Sequence, residues 1–454
     1  MIKKTLYVFR RDLRIEDNTA LIAAHTQAEK VITCFILDPR QTGPKNTYRT
    51  SNGLQFMRES LEDLQKQLLS AGGKLILYTG IPEKIIPQIL KKNNIEALFF
   101  NADYTPFSKA RDAKIINACK KINIPVYTFQ DSVLINPEQV KTQQKGFYKV
   151  FTAFYNAAQK IPIPPPKKIT FKHLHKISSS KSLKFLKKYN NTRIKAQGGS
   201  TQAEKLLKSI KKYHTYAKTR DFPALDTTNL SAHIKYGTVS IRKIYHTIAH
   251  TLGKSHPLIR QLYWHDFFTY IAYHNPSVFK KAFNQKYTHI LWSNNKKLFN
   301  HWCTGTTGFP IVDAGMRELN ITGFMHNRVR MITGSFLVKD AHINWQWGEK
   351  YFAQKLTDYD PAVNNGNWQW VASTGADSQP YFRIFNPWLQ QKKFDPLCEY
   401  ILKWIPELQA VPIKDIHHWN MQYKKYPHIN YPAPILDHSA QAKIAISKYR
   451  QFSQ

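Results

Sequence analysis

Thr5-Leu6-Tyr7-Val8-Phe9-Arg10-Arg11-Asp12-Leu13-Arg14 starts as an unbroken apolar run and stops at a cluster of arginines around one aspartate. A short run without polar alternation reads as a strand covered on both faces, the habit of parallel sheets. Val31–Asp38, Lys74–Thr79, Ala97–Asp103 and Val126–Gln130 have the same character. Helical patterns over Thr19–Gln27, Leu54–Ser70, Pro82–Lys92 and Ser108–Lys121 lie between them. Strand and helix alternating at this spacing predict a doubly wound, Rossmann-like α/β domain over residues 1–131. Such sheets bind ligands beyond the carboxyl ends of their strands. A conventional dinucleotide fold would place GxGxxG after the first strand, where Arg10–Arg14 stands instead, so the fold alone assigns no function.

Outward from this domain the pattern changes twice. Between 132 and 200 it weakens. Ile161-Pro162-Ile163-Pro164-Pro165-Pro166 cannot be helical and Ser178–Lys188 is rich in Ser and Lys, which predicts an interdomain linker over the surface. After Gln202 strand signals vanish and helical patterns such as Leu258–Tyr273, Ile311–Leu319 and Phe324–Lys339 follow. An all-α domain over 201–454 is expected. It holds all ten tryptophans, seven of them between 264 and 370, more than a core normally needs.

The formal charge is +36, and half of that excess falls in residues 136–220, which carry 20 basic and 2 acidic side chains. A polyanionic partner is the natural inference, although most linker lysines read as a solvated face. The four cysteines are scattered, with no CxxC pair and no histidine at ligand spacing, so neither disulfides nor a metal site is expected. No apolar run approaches a membrane span, and Met1-Ile2-Lys3-Lys4 leads straight into the first strand. A cytoplasmic protein without membrane contact is therefore expected.

One stretch concentrates chemistry: Leu356-Thr357-Asp358-Tyr359-Asp360-Pro361-Ala362-Val363-Asn364-Asn365-Gly366-Asn367-Trp368-Gln369-Trp370. Two carboxylates, an Asn-Asn-Gly turn and two indoles suit a polar cofactor edge pressed against an aromatic wall. They equally suit a loop followed by a helix with core tryptophans. Three further segments carry matching chemistry: Tyr216–Pro223 with Thr227–Ser231, Gln261–Phe268, and Gly323–Met331. Hydroxyls before a helix start suit a diphosphate or ribose. Arg330 is a candidate partner for Asp358, since a buried carboxylate needs a charge-assisted partner.

With these segments in view, the chain resembles the photolyase/cryptochrome flavoproteins, most closely the bacterial class I cyclobutane pyrimidine dimer DNA photolyases. The likeness runs from Phe9–Arg14 to Pro380-Tyr381-Phe382-Arg383-Ile384-Phe385-Asn386-Pro387 and is densest from Gly308 onward. The resemblance implies an enzyme, a deoxyribodipyrimidine photo-lyase. Its α/β domain and helical domain would flank a long linker, and FAD would lie folded in the helices. It implies that Tyr216, Thr227, Thr228, Asn229, Leu230 and Ser231 contact the nucleotide. Arg330, Asp358, Tyr359 and Asp360 would lie at the flavin edge, and Asn364 would face N5, where an amide favours the reduced forms. It implies an electron chain of Trp368, Trp345 and Trp292. Arg220, Gln261, Trp264, Asn327, Arg328, Met331 and Trp370 would hold UV-damaged DNA, double- or single-stranded, with the dimer flipped out against the two indoles. A monomer is the family habit.

Two departures matter. Gln261 stands where class I enzymes usually carry Glu, the habit of (6-4) photolyases, whereas Met331 replaces a histidine that the (6-4) class uses for proton chemistry. A missing acid is harder to repair than a Glu-to-Gln exchange, so the cyclobutane dimer is the expected substrate. The alternatives are a (6-4) photolyase or a cryptochrome-type blue-light receptor, against which stand the basic balance and the short tail after Asp437. In folate-binding relatives a Glu lies at Ser108 and a Cys at Phe279, before the matching Lys280. A second, antenna chromophore therefore stays open between methenyltetrahydrofolate, a deazaflavin, another flavin and none.

Overall fold

Every residue of β1 (Thr5–Phe9) is buried, as an apolar run without alternation requires of a central strand. In the computed structural model, which describes residues 1–176 and 183–452, it lies in a five-stranded parallel sheet. The other strands are β2 (Val31–Leu37), β3 (Leu75–Thr79), β4 (Ala97–Asn101) and β5 (Val126–Phe129), in the order β3-β2-β1-β4-β5. The period of two sorts β1 between two apolar layers. Leu6 and Val8 pack with Ile32, Cys34, Leu98 and Phe100, while Tyr7 and Phe9 pack with Phe35, Leu61 and Phe99. Helices Thr19–Gln27, Ser51–Ser70, Pro82–Lys92 and Pro106–Lys120 connect the strands. The sheet changes direction between β1 and β4, and the arginine cluster emerges at that point.

Asp12 pins the cluster. It accepts hydrogen bonds from the Arg10 amide at 2.5 Å, from Asn101 at 2.7 Å and from the Tyr7 hydroxyl. With the backbone fixed, the three arginines fan outward. Arg10 pairs with Asp112 at 2.7 Å and Arg14 with Asp131 at 2.6 Å. Arg11 crosses to the helical region, binding Asp103 on one side and Asp360 on the other, with its Nε donating to the Lys235 carbonyl. The seam continues through Arg242, which bonds both Asp17 and Asp131. Gly237, at φ +62°, lets the backbones touch: a Cβ there would fall 2.1 Å from the Arg11 carbonyl oxygen.

Beyond residue 200 the described chain is helical. Two expectations are corrected. Residues 132–158 are not a surface linker: Leu134, Ile135, Val140 and the Phe151–Ala158 helix are buried against the Pro257–His274 helix, and the Ile135 amide donates to Asp266 at 2.9 Å. Their apolar side chains were outvoted by the lysines and prolines around them. Lys141, Lys145, Lys149 and Lys160 are exposed, as a solvated face requires. Of the Ser178–Lys188 stretch, residues through 182 lie outside the described residues. The Phe324–Lys339 helix begins only at Asn327, where His326 caps it, and from Phe336 to Asp340 it widens into a π-turn. Among the described residues no helix is long and apolar enough to cross a membrane.

Burial works against charge at Asp103, yet Arg11, with Arg111, outweighs it and holds the carboxyl at about 2. Arg11→Met would leave Asp103 and Asp360 buried without that cation, a loss of about 3–5 kcal/mol. Urea unfolding at pH 7 should show it as a lower midpoint. Because the folded carboxyl sits below its unfolded value of about 3.9, this stabilisation is present above pH ~4 and fades toward pH 2. The variant's deficit should shrink across that window.

Candidate active site

Asp360 and Pro361 start the helix that carries the candidate site. Asp360 Oδ1 accepts from the Ala362 and Val363 amides at 2.9 and 3.1 Å, and Pro361 occupies the first turn of the Pro361–Val371 helix. Asn364-Asn365-Gly366 is therefore not a turn but helix interior. The cap outweighs local turn preference, and the glycine serves packing: a Cβ on Gly366 would lie 2.1 Å from the Phe268 ring. Amides tie one side of the helix to the neighbouring chain, Asn365 and Gln369 both donating to the Val278 carbonyl at 3.1 and 3.0 Å.

Helical spacing then separates the two indoles. Asn364 and Trp368, four residues apart, share a face. Trp368 packs edge-on against Phe352 with centroids 4.9 Å apart, and its ring fills the space that a Cβ on Gly348 would need. Trp345 is buried in the same apolar cluster, and Trp292 packs half-buried at its margin, 6.4 Å from Tyr449. Trp370 is half-buried on a different side of the helix.

The carboxylates divide in the same way. Asp358 pairs with Arg330 at 2.9 Å through Oδ2, while its Oδ1 is buried without a partner. Arg330 is itself aimed by a 2.8 Å bond from Nε to the Met325 carbonyl. Both Asp360 oxygens are engaged, one by the helix amides and one by Arg11. Burial raises it, but Arg11, with Lys235 and His265, holds it far below the usual carboxylate range. Asp358 is thus the carboxylate with an oxygen to offer. Tyr359 stacks on Tyr48 of the α/β lobe, centroids 6.2 Å apart.

Thr227, Thr228, Asn229 and Leu230 lead into the short Ser231–Tyr236 helix. Asn229, at φ +53°, carries a second buried oxygen without a partner. Tyr216 is half-buried nearby in sequence, and Ser231 is exposed. The residues expected to meet DNA keep solvent contact. Arg220 and Asn327 are exposed, and Gln261, Trp264, Met331 and Trp370 are half-buried. Arg328 is held by Asp221 at 2.8 Å and lies over the Phe394 ring. One face of Trp264 is covered by Phe151, parallel at 3.7 Å. A cavity of about 300 Å³ opens beside this region, among Leu225, Thr227, Glu318, Tyr400 and Trp404, and Thr227 alone of the expected residues lines it.

For four residues at the site the sequence carries no signal of their partners. Arg11, Tyr48, Phe151 and Glu349 reach it only through tertiary contacts, Glu349 by accepting both amide hydrogens of Asn364.

Residues 5–169 match the family model described as DNA photolyase, and residues 258–451 match the FAD binding domain of DNA photolyase. The chain belongs to the DNA photolyase family. A deoxyribodipyrimidine photo-lyase of Alkalihalophilus pseudofirmus is 36% identical, over 97% of each chain. That of Escherichia coli is 35% identical over 95% of each. Among solved structures, an archaeal photolyase from Sulfolobus tokodaii with two FAD molecules superposes with a TM-score of 0.90 at 40% identity, covering 99% of this chain and 100% of that one. A Synechocystis cryptochrome gives 0.88 at 27% identity, over 98% and 99%.

Gly366→Ala tests the packing of this helix. Alanine improves helix propensity by about 1 kcal/mol, but overpacking against Phe268 costs about 1–3 kcal/mol. A lower Tm and less FAD retained, read as the 450/280 nm absorbance ratio, are expected.

Proposed function

We propose that this protein is a deoxyribodipyrimidine photo-lyase that uses light to split cyclobutane pyrimidine dimers in DNA. The observation that carries the reading is the Pro361–Val371 helix. It sets an amide (Asn364), a buried indole (Trp368) and a solvent-facing indole (Trp370) beside a carboxylate with an unpartnered oxygen (Asp358). Buried acceptors without donors are rare in folded proteins. A dinucleotide rich in hydroxyls and N–H groups supplies the donors that Asp358 and Asn229 lack, so these residues fit FAD. Bound and reduced, FAD supplies on excitation the electron that opens the cyclobutane ring, and it takes the electron back.

The chain's own work is binding and exclusion. Asp358, oriented by Arg330, holds the flavin edge, and Asn364 holds the N5 proton. Thr227 to Ser231 and Tyr216 hold the nucleotide end. Trp264 and Trp370 stack on the extruded bases, each contributing on the order of 1–3 kcal/mol. Phe151 occupies the rear face of Trp264 and leaves the other for the lesion. Gln261 and Asn327 donate to base edges, Met331 packs on the dimer, and Arg220 and Arg328 orient phosphates. Trp292, Trp345 and Trp368 conduct an electron from the surface to the flavin site.

The geometry also favours one kind of second chromophore. Ser108 is buried on Asp103 at 2.9 Å, and Phe279 lines a cleft with Tyr104 and Thr105, so neither position offers the carboxylate or thiol of the folate-binding relatives. Arg10 Nη2, just past β1, and Arg111 Nη2, on the Pro106–Lys120 helix, are buried without partners, and both arginines pair with Asp112. Two such donors suit the phosphate of a flavin, the class of cofactor found twice in the Sulfolobus tokodaii relative. Denatured holoprotein should then release more than one flavin per chain and no folate. Release of folate would overturn the assignment.

The deciding experiment is repair of a thymine dimer in a defined oligonucleotide by the FAD-loaded, chemically reduced protein. Loss of dimers under blue light and none in the dark is expected, and no loss under light would overturn the reading. Trp368→Phe should abolish photoreduction of oxidised flavin while sparing repair by the chemically reduced protein. Gln261→Glu should hold or improve dimer affinity.

A further inference from the structure

Asn364 has both amide hydrogens committed to one residue. Its Nδ2 donates to the Glu349 main-chain carbonyl at 3.0 Å and to Glu349 Oε1 at 2.9 Å. Asn364 is buried, 8% exposed, so its amide has little water to turn to. With the nitrogen end anchored, Oδ1 is left at the opposite end. That is the end an N–H in the flavin site requires, because an amide turned the other way would set donor against donor.

Glu349 lies in the Trp345–Lys355 helix and is itself buried. The Tyr48 hydroxyl, from the loop before the Ser51–Ser70 helix of the α/β lobe, lies against the same carboxyl. Lys350 stands 5.9 Å over the Tyr48 ring, and Tyr359 stacks on the same ring. Tyr359 feels the Glu349 charge, and Asp360, bound to Arg11, lies beyond it. A chain of contacts therefore runs from the α/β lobe through Tyr48 and Glu349 to the amide of Asn364.

We propose that Glu349, backed by Tyr48, is a positioning residue that fixes the Asn364 amide with its oxygen toward the flavin N5 site. The proposal rests on the FAD reading above and names the group that makes Asn364 an acceptor there. Burial pushes the Glu349 carboxyl up to about 7, against the pull of its bonds to Asn364 and Tyr48. Ionised, the carboxylate draws on the Asn364 N–H and enriches Oδ1, so the acceptor strengthens as pH rises through neutrality.

The test reads the bound flavin rather than repair. Wild-type protein loaded with FAD is reduced under anaerobic conditions, and its reoxidation in air is followed at 450 nm from pH 6 to 8.5. Glu349→Ala frees the amide and should speed reoxidation about tenfold, the worth of one charge-assisted hydrogen bond, with FAD stoichiometry unchanged. Glu349→Gln keeps an acceptor at Oε1 and should match wild type at pH 6 while losing the slowing toward pH 8. Tyr48→Phe, which leaves the core of the site intact, should shift the wild-type pH profile in the same direction by a smaller amount. Reoxidation and pH profiles identical to wild type in Glu349→Gln and Tyr48→Phe would overturn the proposal, whether or not Glu349→Ala folds. A wild-type protein that retains no FAD would instead fail the flavin reading itself.

Discussion

Arg11 sits between two buried carboxylates, Asp103 from the end of β4 and Asp360 at the start of the Pro361–Val371 helix. Such an arrangement adds little net stability, because desolvating three charges consumes most of the attraction. Its consequence is geometric. The cation cannot leave without exposing two buried anions to each other, so the first turn of the helix is fixed relative to the sheet. Asp360 spends its other oxygen on the helix amides, which makes one side chain both the cap of the helix and the link between lobes. The orientation of Asn364, Trp368 and Trp370 follows from that anchor.

Position along the helix then does the sorting. Asn364 and Trp368 face the interior, where Gly348 and Phe352 make room for the indole, while Trp370 meets solvent. In the proposed reading, an electron path at Trp368 and a lesion wall at Trp370 thus begin two residues apart without competing for the same space. Gly366, between Asn364 and Trp368, is needed because Phe268 passes too close for any Cβ. Small residues here reflect the closeness of neighbouring elements rather than backbone freedom.

The α/β lobe was legible because its strands are short, apolar and evenly spaced, and the structure moves their ends by only a residue or two. The Asp358–Arg330 pair was legible because a buried carboxylate needs a cation and Arg330 lay on a predicted helix. Asn364-Asn365-Gly366 has the composition of a turn, and the Asp360-Pro361 start signal just ahead of it overrides that preference. The segment around Phe151 misled because lysines and prolines dominate its composition while a few aromatic side chains decide its burial. Glu349 and Tyr48 carried no signal at all. Their contacts join residues distant in sequence, and single-sequence periodicity holds no information about which helix faces which.

The measurement that tests the account most directly is a crystal structure of the FAD-loaded protein with a dimer-containing duplex. The account requires the isoalloxazine N5 within hydrogen-bond distance of Asn364 Oδ1, a flavin donor on Asp358 Oδ1, and the dimer between Trp264 and Trp370. A flavin seated in the cavity beside Glu318, Tyr400 and Trp404, or an Asn364 amide turned with its nitrogen toward N5, would contradict it.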